Sequence, residues 1–422
     1  MLNYRIQTKG LLLNASTKIR NTILSSGDDE LIALYEQWQD QKRMLSTYYS
    51  FSKEEITEQK INIDSIESAA NQSERALSKQ SAAFANAFVS NEIDYQQIVN
   101  GLKSDEALVE VVHYPIFDGA LTGNKTYAAI YADQQEVRLI KFDQGDELDT
   151  RYYKLYSNLI KQKLADEYSY DIFWQPIADQ LNGKTTLYLS PDGAYNQVNL
   201  NTLKSSAGQY VLEQVNLNYV GNPKDLLSQT SVGIKGTAFL VGFPKYGSAD
   251  IVPLPGTKKE VEMIKSAMSA SSVTARVLTE SDASESAIKQ VNNPEYMHIA
   301  THGFFLEDKS ATNKVFGVQV DYANDNPLLR SGLMLAGASE EVQGQSFDGE
   351  DNGILTAYEA LNLPLSKTQL VVLSACETGK GEIQSGEGVY GLQRAFMVAG
   401  AKTMVMSLWK VDDAATQELM SS

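Results

Sequence analysis

The feature that most constrains the fold lies in the second half of the chain. From Gly236 onward, short apolar runs rich in β-branched residues alternate with amphipathic stretches of helical period. The runs are Ala238–Gly242, Arg276–Thr279, Tyr296–Thr301, Gln369–Ala375 and Lys402–Leu408. Strands that alternate with helices imply a parallel sheet joined by right-handed crossovers. Thr257-Lys-Lys-Glu260 reads as a capping box opening a helix to Met268, and Asp282-Ala-Ser-Glu285 as a second start signal. Val389–Ala399 reads as a helix closed by Gly400, and a last helix begins near Ala414.

Two other regions precede this unit. Residues 1–103 contain no proline and read as long amphipathic helices. Leu31, Leu34, Tyr35 and Trp38 form one stripe, and Asp28, Asp29 and Glu30 sit where a helix dipole favours negative charge. Ile56, Ile61, Ile63, Ile66, Leu77, Phe84 and Phe88 continue the style. At Ala107 the pattern turns to strands, with a hairpin over 126–142, a helical stretch over about 150–181 and a strand at Thr186–Ser190. The expected division is therefore 1–103 helical, 105–230 a first α/β unit and 236–422 a second. With 422 residues, two or three domains are the norm.

Charge narrows the partners. Lys and Arg total 36 against 53 Asp and Glu, a net charge of −17. That balance opposes direct binding of nucleic acid or of an anionic membrane surface. No apolar run is long enough for a signal peptide or a membrane span, which points to the cytoplasm. The chain has a single cysteine and three histidines, so neither a disulfide framework nor a cysteine-based zinc cluster can be built.

In open parallel sheets, ligands bind beyond the carboxyl ends of the strands. Three clusters fall there: Thr301-His302-Gly303, Ala375-Cys376-Glu377 and Trp409-Lys-Val-Asp412-Asp413. A thiol and an imidazole arriving at one rim make a nucleophile with its base. The backbone N–H groups of Gly303 and Cys376 are then the candidate oxyanion donors. The competing reading of Cys376 is a small buried hydrophobe, and it stays open on the residues alone. His113, in the first strand of residues 105–230, reads as a packed histidine rather than a catalyst. Asp412 and Asp413 divide evenly between lining a pocket for a basic side chain and Asp413 capping the last helix. Trp409 and Asp250 are weaker pocket candidates. Gly386-x-Gly388-x-x-Gly391 matches a dinucleotide fingerprint, with Asp412 21 positions beyond, but ten residues separate it from the preceding strand.

Ile299-Ala-Thr-His-Gly-Phe304 and Leu373-Ser-Ala-Cys-Glu-Thr-Gly379 resemble the two active-site boxes of the CHAT domain, a caspase-like, separase-related cysteine peptidase often attached to tetratricopeptide repeats. Gly386–Phe396, Ser407–Asp413, Pro327–Leu333 and Gly353–Ala357 are similar to the same family, and the likeness spans roughly 105–422. It implies a caspase-like α/β/α unit preceded by an inactive, pseudo-protease α/β unit and a helical connector to the repeats. It makes His302 and Cys376 the catalytic pair of an endopeptidase that works through an acyl-enzyme, with no metal and no cofactor. It further implies a protein substrate, and a regulatory protein partner reached through the helical region. The loops Phe304–Arg330 and Gly337–Gly353, the latter carrying Glu340, Glu341, Asp348, Glu350 and Asp351, would shape the cleft. Ser374-Ala-Cys-Glu-Thr departs from both caspase and metacaspase patterns, so neither family's residue preference transfers. The repeats are absent and the last helix stops at Ser422, as in a fragment. The alternative function is a non-catalytic caspase-like scaffold for protein–protein interaction.

Overall fold

The computed structural model describes residues 1–10, 22–23, 26–49, 60–80, 93–228, 235–247, 251–306, 314–315, 318–319, 327–338 and 352–422. The chain divides into two compact units. Unit 1 comprises Met1–Leu12, Ser90–Val232 and Ile383–Val389; unit 2 comprises Leu13–Val89, Gly233–Glu382 and Tyr390–Ser422. The helical first hundred residues are thus shared between the units, and a short segment of the second half belongs with the first.

Unit 1 is built on β1 (Glu106–Phe117), β2 (Leu121–Ala132), β3 (Val137–Lys141), β4 (Thr186–Ser190) and β5 (Asn216–Tyr219), in the order β3-β2-β1-β4-β5. β1, β2 and β3 pair antiparallel through the hairpin that the sequence marks, while β1, β4 and β5 are parallel. The helical stretch expected over about 150–181 is present as two pieces. A π-helical turn at Leu148–Tyr152 leads into a helix at Tyr153–Lys161, and helical turns resume only at Tyr170. Lys163 takes a left-handed φ of 54°, and the Asp166 carboxylate accepts from the N–H groups of Tyr168 and Ser169. The left-handed Lys163 closes the first piece, and the Asp166 turn leads into the second.

Unit 2 carries β6 (Lys235–Pro244), β7 (Ser272–Glu280), β8 (Tyr296–Ala300), β9 (Gly303–Phe305), β10 (Lys314–Val315), β11 (Val318–Gln319), β12 (Ser331–Met334), β13 (Ile354–Thr356), β14 (Leu370–Ser374) and β17 (Thr403–Met406). Between the last two, β15 (Glu382–Gln384) and β16 (Gly388–Tyr390) form a two-stranded ribbon. The main sheet runs β17-β14-β8-β6-β7 and every pairing in it is parallel, so the caspase-like α/β arrangement expected for this half is present. Val241, Ile299 and Leu373 on three of its strands, and Phe396 on the helix Leu392–Ala399, are fully buried, as parallel strands covered on both faces require.

Helix starts differ from the sequence reading in instructive ways. The helix expected at Thr257 begins at Pro255, whose fixed φ suits a first turn. Thr257 does not box with Glu260; its hydroxyl donates to Leu254 O and accepts from Phe243 N–H. Glu260 instead holds His298 at 2.6 Å in a buried pair. The helix Glu285–Lys289 is capped by Ser284, not Asp282. Val389 lies in β16, so the next helix starts at Leu392 and ends at Gly400, where φ is +118°. The described amphipathic helices Asp29–Tyr49 and Ile63–Gln80 pack Leu31, Tyr35 and Leu77 together. Ile56, Phe84 and Phe88 lie outside the described residues. No described helix is long and apolar enough to cross a membrane.

Unit 1 also encloses a charge network. Arg5, on the helix Leu2–Thr8, reaches Glu110 at 2.9 Å and Asp192 at 2.8 Å, and Lys9 reaches Glu110 at 3.2 Å. Both carboxylates are fully buried, and burial holds the Lys9 ammonium below its ordinary pKa despite them. Removing one partner of such a network leaves an uncompensated charge in the core. Arg5→Ala is expected to lower the unfolding free energy by about 3–5 kcal/mol in a chemical denaturation curve. Lys103→Ala, which removes a largely exposed lysine from Glu106, is expected to shift the midpoint far less than Arg5→Ala.

Candidate active site

The site is set by register. β8 and β14 are parallel neighbours, with Ala300 opposite Ser374, and the Thr301 N–H donates to Ser374 O at 3.2 Å. His302 and Cys376 each follow two residues beyond that pair, so both chains leave the same rim of the sheet in step. Gly303 shows how close they run. A Cβ on Gly303 would lie 2.6 Å from Cys376 O, 3.0 Å from Thr378 Cγ2 and 3.2 Å from Ala375 Cβ. Only a residue without a side chain allows that approach.

The Cys376 loop is held by backbone bonds to the strand beside it. Glu377 takes a left-handed φ of 57°, a conformation that a non-glycine residue adopts only when its surroundings require it. Its N–H donates to Trp409 O at 3.3 Å, the Gly379 N–H donates to Ser407 O at 2.8 Å, and its carboxylate takes Lys380 at 2.8 Å. The buried Thr378 hydroxyl donates to the carbonyls of Leu373 and Ala375 and accepts from Ser407 N–H. The half-buried Cys376 Sγ lies 3.9 Å from Val411 O.

His302 is positioned from the other side. Its Nε2 is 2.7 Å from Val252 O. A carbonyl only accepts, so Nε2 carries the proton and Nδ1 is the basic nitrogen. The Tyr246 ring packs at 5.4 Å, and its hydroxyl bonds to Thr301 Oγ1 at 2.9 Å. Thr301 in turn donates to Met334 O, and His302 O accepts from Met334 N–H at 2.9 Å. Burial lowers the His302 pKa, opposed by the Val252 bond and by the charge of Asp413. Burial raises the Cys376 pKa, opposed chiefly by the Val411 contact. In this state both groups are neutral near pH 7, the starting condition for general-base activation of a thiol.

The remaining sequence candidates separate. Asp412, not Asp413, caps the last helix, Asp413–Ser421, by accepting from Ala415 N–H at 3.0 Å. Asp413 accepts from Gly256 N–H at 2.9 Å, in the first turn of the helix that follows the Val252 loop. Trp409 is half-buried and contributes its carbonyl. Asp250 lies outside the described residues, as do Glu340, Glu341, Asp348, Glu350, Asp351 and much of the loops Phe304–Arg330 and Gly337–Gly353. The far end of the second loop is described: the N–H groups of Asn352 and Gly353 donate to Glu285 at 2.9 and 3.0 Å. Gly386 and Gly388 both have positive φ in the turn between β15 and β16, not in a strand-to-helix phosphate loop. Among the described residues no group of three or more His, Cys, Asp or Glu is placed to hold a metal ion. Val252, Trp409, Ser407 and Val411 act through main-chain carbonyls, which leave no side-chain signal to read.

Comparison with known proteins covers the same ground. A sequence model of the CHAT domain matches residues 168–422. Tetratricopeptide repeat protein 28 of Homo sapiens is 26% identical over 237 residues, which is 50% of this chain and 9% of that protein. Tetratricopeptide repeat protein 28 of Mus musculus is 25% identical over 234 residues, again 50% of this chain and 9% of that protein. The chain thus spans under a tenth of the length of these relatives.

A direct consequence concerns thiol titration. Cys376 is the only cysteine, so alkylation by iodoacetamide reports on it alone. Because burial raises its pKa, the alkylation rate is expected to rise through a midpoint above the ~8.5 of a free cysteine. A midpoint below 7 would instead show a thiolate–imidazolium pair.

Proposed function

Since the chain belongs to the CHAT domain family, we propose that it is a cysteine-type endopeptidase in which His302 and Cys376 hydrolyse peptide bonds of a protein substrate. His302 Nδ1 takes the thiol proton as Sγ attacks the scissile carbonyl, and the C=O electron pair moves to oxygen. The N–H groups of Gly303 and Cys376 hold the resulting oxyanion. Collapse breaks the C–N bond, His302 protonates the leaving amine, and water then releases the acyl group from sulfur. The mechanism requires no metal or cofactor. The observation that supports this reading is the matched register of Ala300 and Ser374, two residues before His302 and Cys376 respectively.

Asp413 favours the imidazolium that forms on His302, and is, with Asp250, an acidic candidate for a basic residue in the substrate. The protein works in the cytoplasm, and a protein partner engages the helical region. Nucleic acid and membrane surfaces are not direct partners of a chain with a net charge of −17.

The test is a peptide library incubated with the parent protein and its variants. Cleavage is expected from the parent, and none from Cys376→Ala. His302→Ala should lose about 10²–10⁴-fold in kcat/KM, the usual worth of a positioned acid–base. Gly303→Ala, which forces the Cys376 backbone away, should lose about 10²-fold. Cleavage that survives in Cys376→Ala would sink the mechanism. Absence of cleavage with any activating partner would favour the scaffold reading.

A further inference from the structure

We propose that unit 1 clamps the segment following Cys376, with His113, Lys125 and Asp192 as positioning residues for the loop that carries the thiol. This rests on Cys376 being the reactive group. The chain enters unit 1 at Ile383, seven residues after Cys376, and leaves it at Val389. Within unit 1, the turn Ser385-Gly386 is gripped from four separate parts of the chain. Ser385 Oγ lies 2.9 Å from His113 Nδ1 and 3.0 Å from Lys125 Nζ. The Gly386 N–H donates to Asp192 Oδ1 at 3.0 Å, and Gly386 O accepts from Gly10 N–H at 2.7 Å.

A lysine ammonium only donates, so the Ser385 hydroxyl accepts from Lys125, and it also bonds to His113 Nδ1. The Asp149 carboxylate lies 2.7 Å from His113 Nε2, on the other side of the ring. The Tyr127 ring stacks on His113 at 4.5 Å, and its hydroxyl bonds to Asp149. The ring that receives Ser385 is therefore fixed on its other sides. Asp192 is fully buried and held by Arg5, so it too is a rigid acceptor. Gly386 has a φ of +78°, and a Cβ there would come within 3.3 Å of Arg5 Nη1, so glycine fits this cradle and bulkier residues do not.

The tip of a short ribbon is ordinarily solvated and mobile. Here it is bonded on both backbone and side chain. The nucleophile loop is thus tied at both ends: near Cys376 by the carbonyls of Trp409 and Ser407, and nine residues on by the cradle. Such a tether removes conformations in which the half-buried thiol would swing into solvent.

The experiment uses the full chain and compares wild type with Ser385→Ala, Lys125→Met and Gly386→Pro. Hydrogen exchange is followed over 376–391 together with the pH profile of Cys376 alkylation, and neither readout requires peptidase activity. Amide exchange over 383–389 should accelerate about 10-fold or more. The alkylation rate at pH 8 should rise about 5-fold as its midpoint moves toward that of a free thiol. Ser385→Ala and Lys125→Met alter no core packing, so their melting temperatures should stay at the wild-type value. Unchanged exchange over 383–389 in all three variants would overturn the cradle. Faster exchange with an unchanged alkylation profile would overturn the link to Cys376. Failure of the wild type to cleave any peptide would count against the peptidase reading and leave these two readouts to decide the clamp.

Discussion

The account depends on one constraint, the parallel pairing of β8 with β14. In a parallel pair the hydrogen-bond ladder fixes which residues stand abreast, and the first residues past the ladder inherit that alignment. Ala300 abreast of Ser374 places His302 and Cys376 at the same step beyond the rim. A slip of one residue would turn one of the two side chains to the opposite face of the sheet. Full burial of Ile299 and Leu373 makes that slip costly, because it would expose core side chains. The core thereby fixes the alignment of the two backbones as they leave the sheet.

A second theme is how much of the molecule is organised by buried charge. Glu110 and Asp192 in unit 1, and Glu260, Glu285 and Glu359 in unit 2, are buried carboxylates with basic or backbone partners. Each is an expensive group to bury unless satisfied, and each holds something specific. Glu285 ends a long loop, Glu260 orients a central histidine, and Asp192 receives the Ser385-Gly386 turn. In unit 2, by contrast, the groups around Cys376 are main-chain carbonyls, and burial keeps the thiol and the imidazole neutral.

The parallel strands of unit 2 were legible because strands buried on both faces read as continuous apolar runs, whereas their order in the sheet was not. The two clusters Thr301-His302-Gly303 and Ala375-Cys376-Glu377 were legible for the same reason, since each follows such a run. Helix starts were less so. Thr257 reads as a cap only until Pro255, two residues earlier, supplies a better first turn, and Asp412 rather than Asp413 takes the last cap. The segment Ile383–Val389 carries no sign in its own sequence that it belongs with unit 1. Its partners Gly10, His113, Lys125 and Asp192 are scattered over the first half of the chain, and only folding brings them together. His113 looked like an ordinary packed histidine, and it is buried. What was missed is that its Nδ1 faces a serine 272 positions away.

The most direct test of the dyad is covalent trapping by peptidyl acyloxymethyl ketones of varied sequence, read by intact mass and peptide mapping. The account predicts one adduct, on Cys376, forming about 100-fold or more slower in a folded His302→Ala variant, because the thiol then lacks its base. Equal rates in the two proteins, or an adduct on another residue, would contradict it.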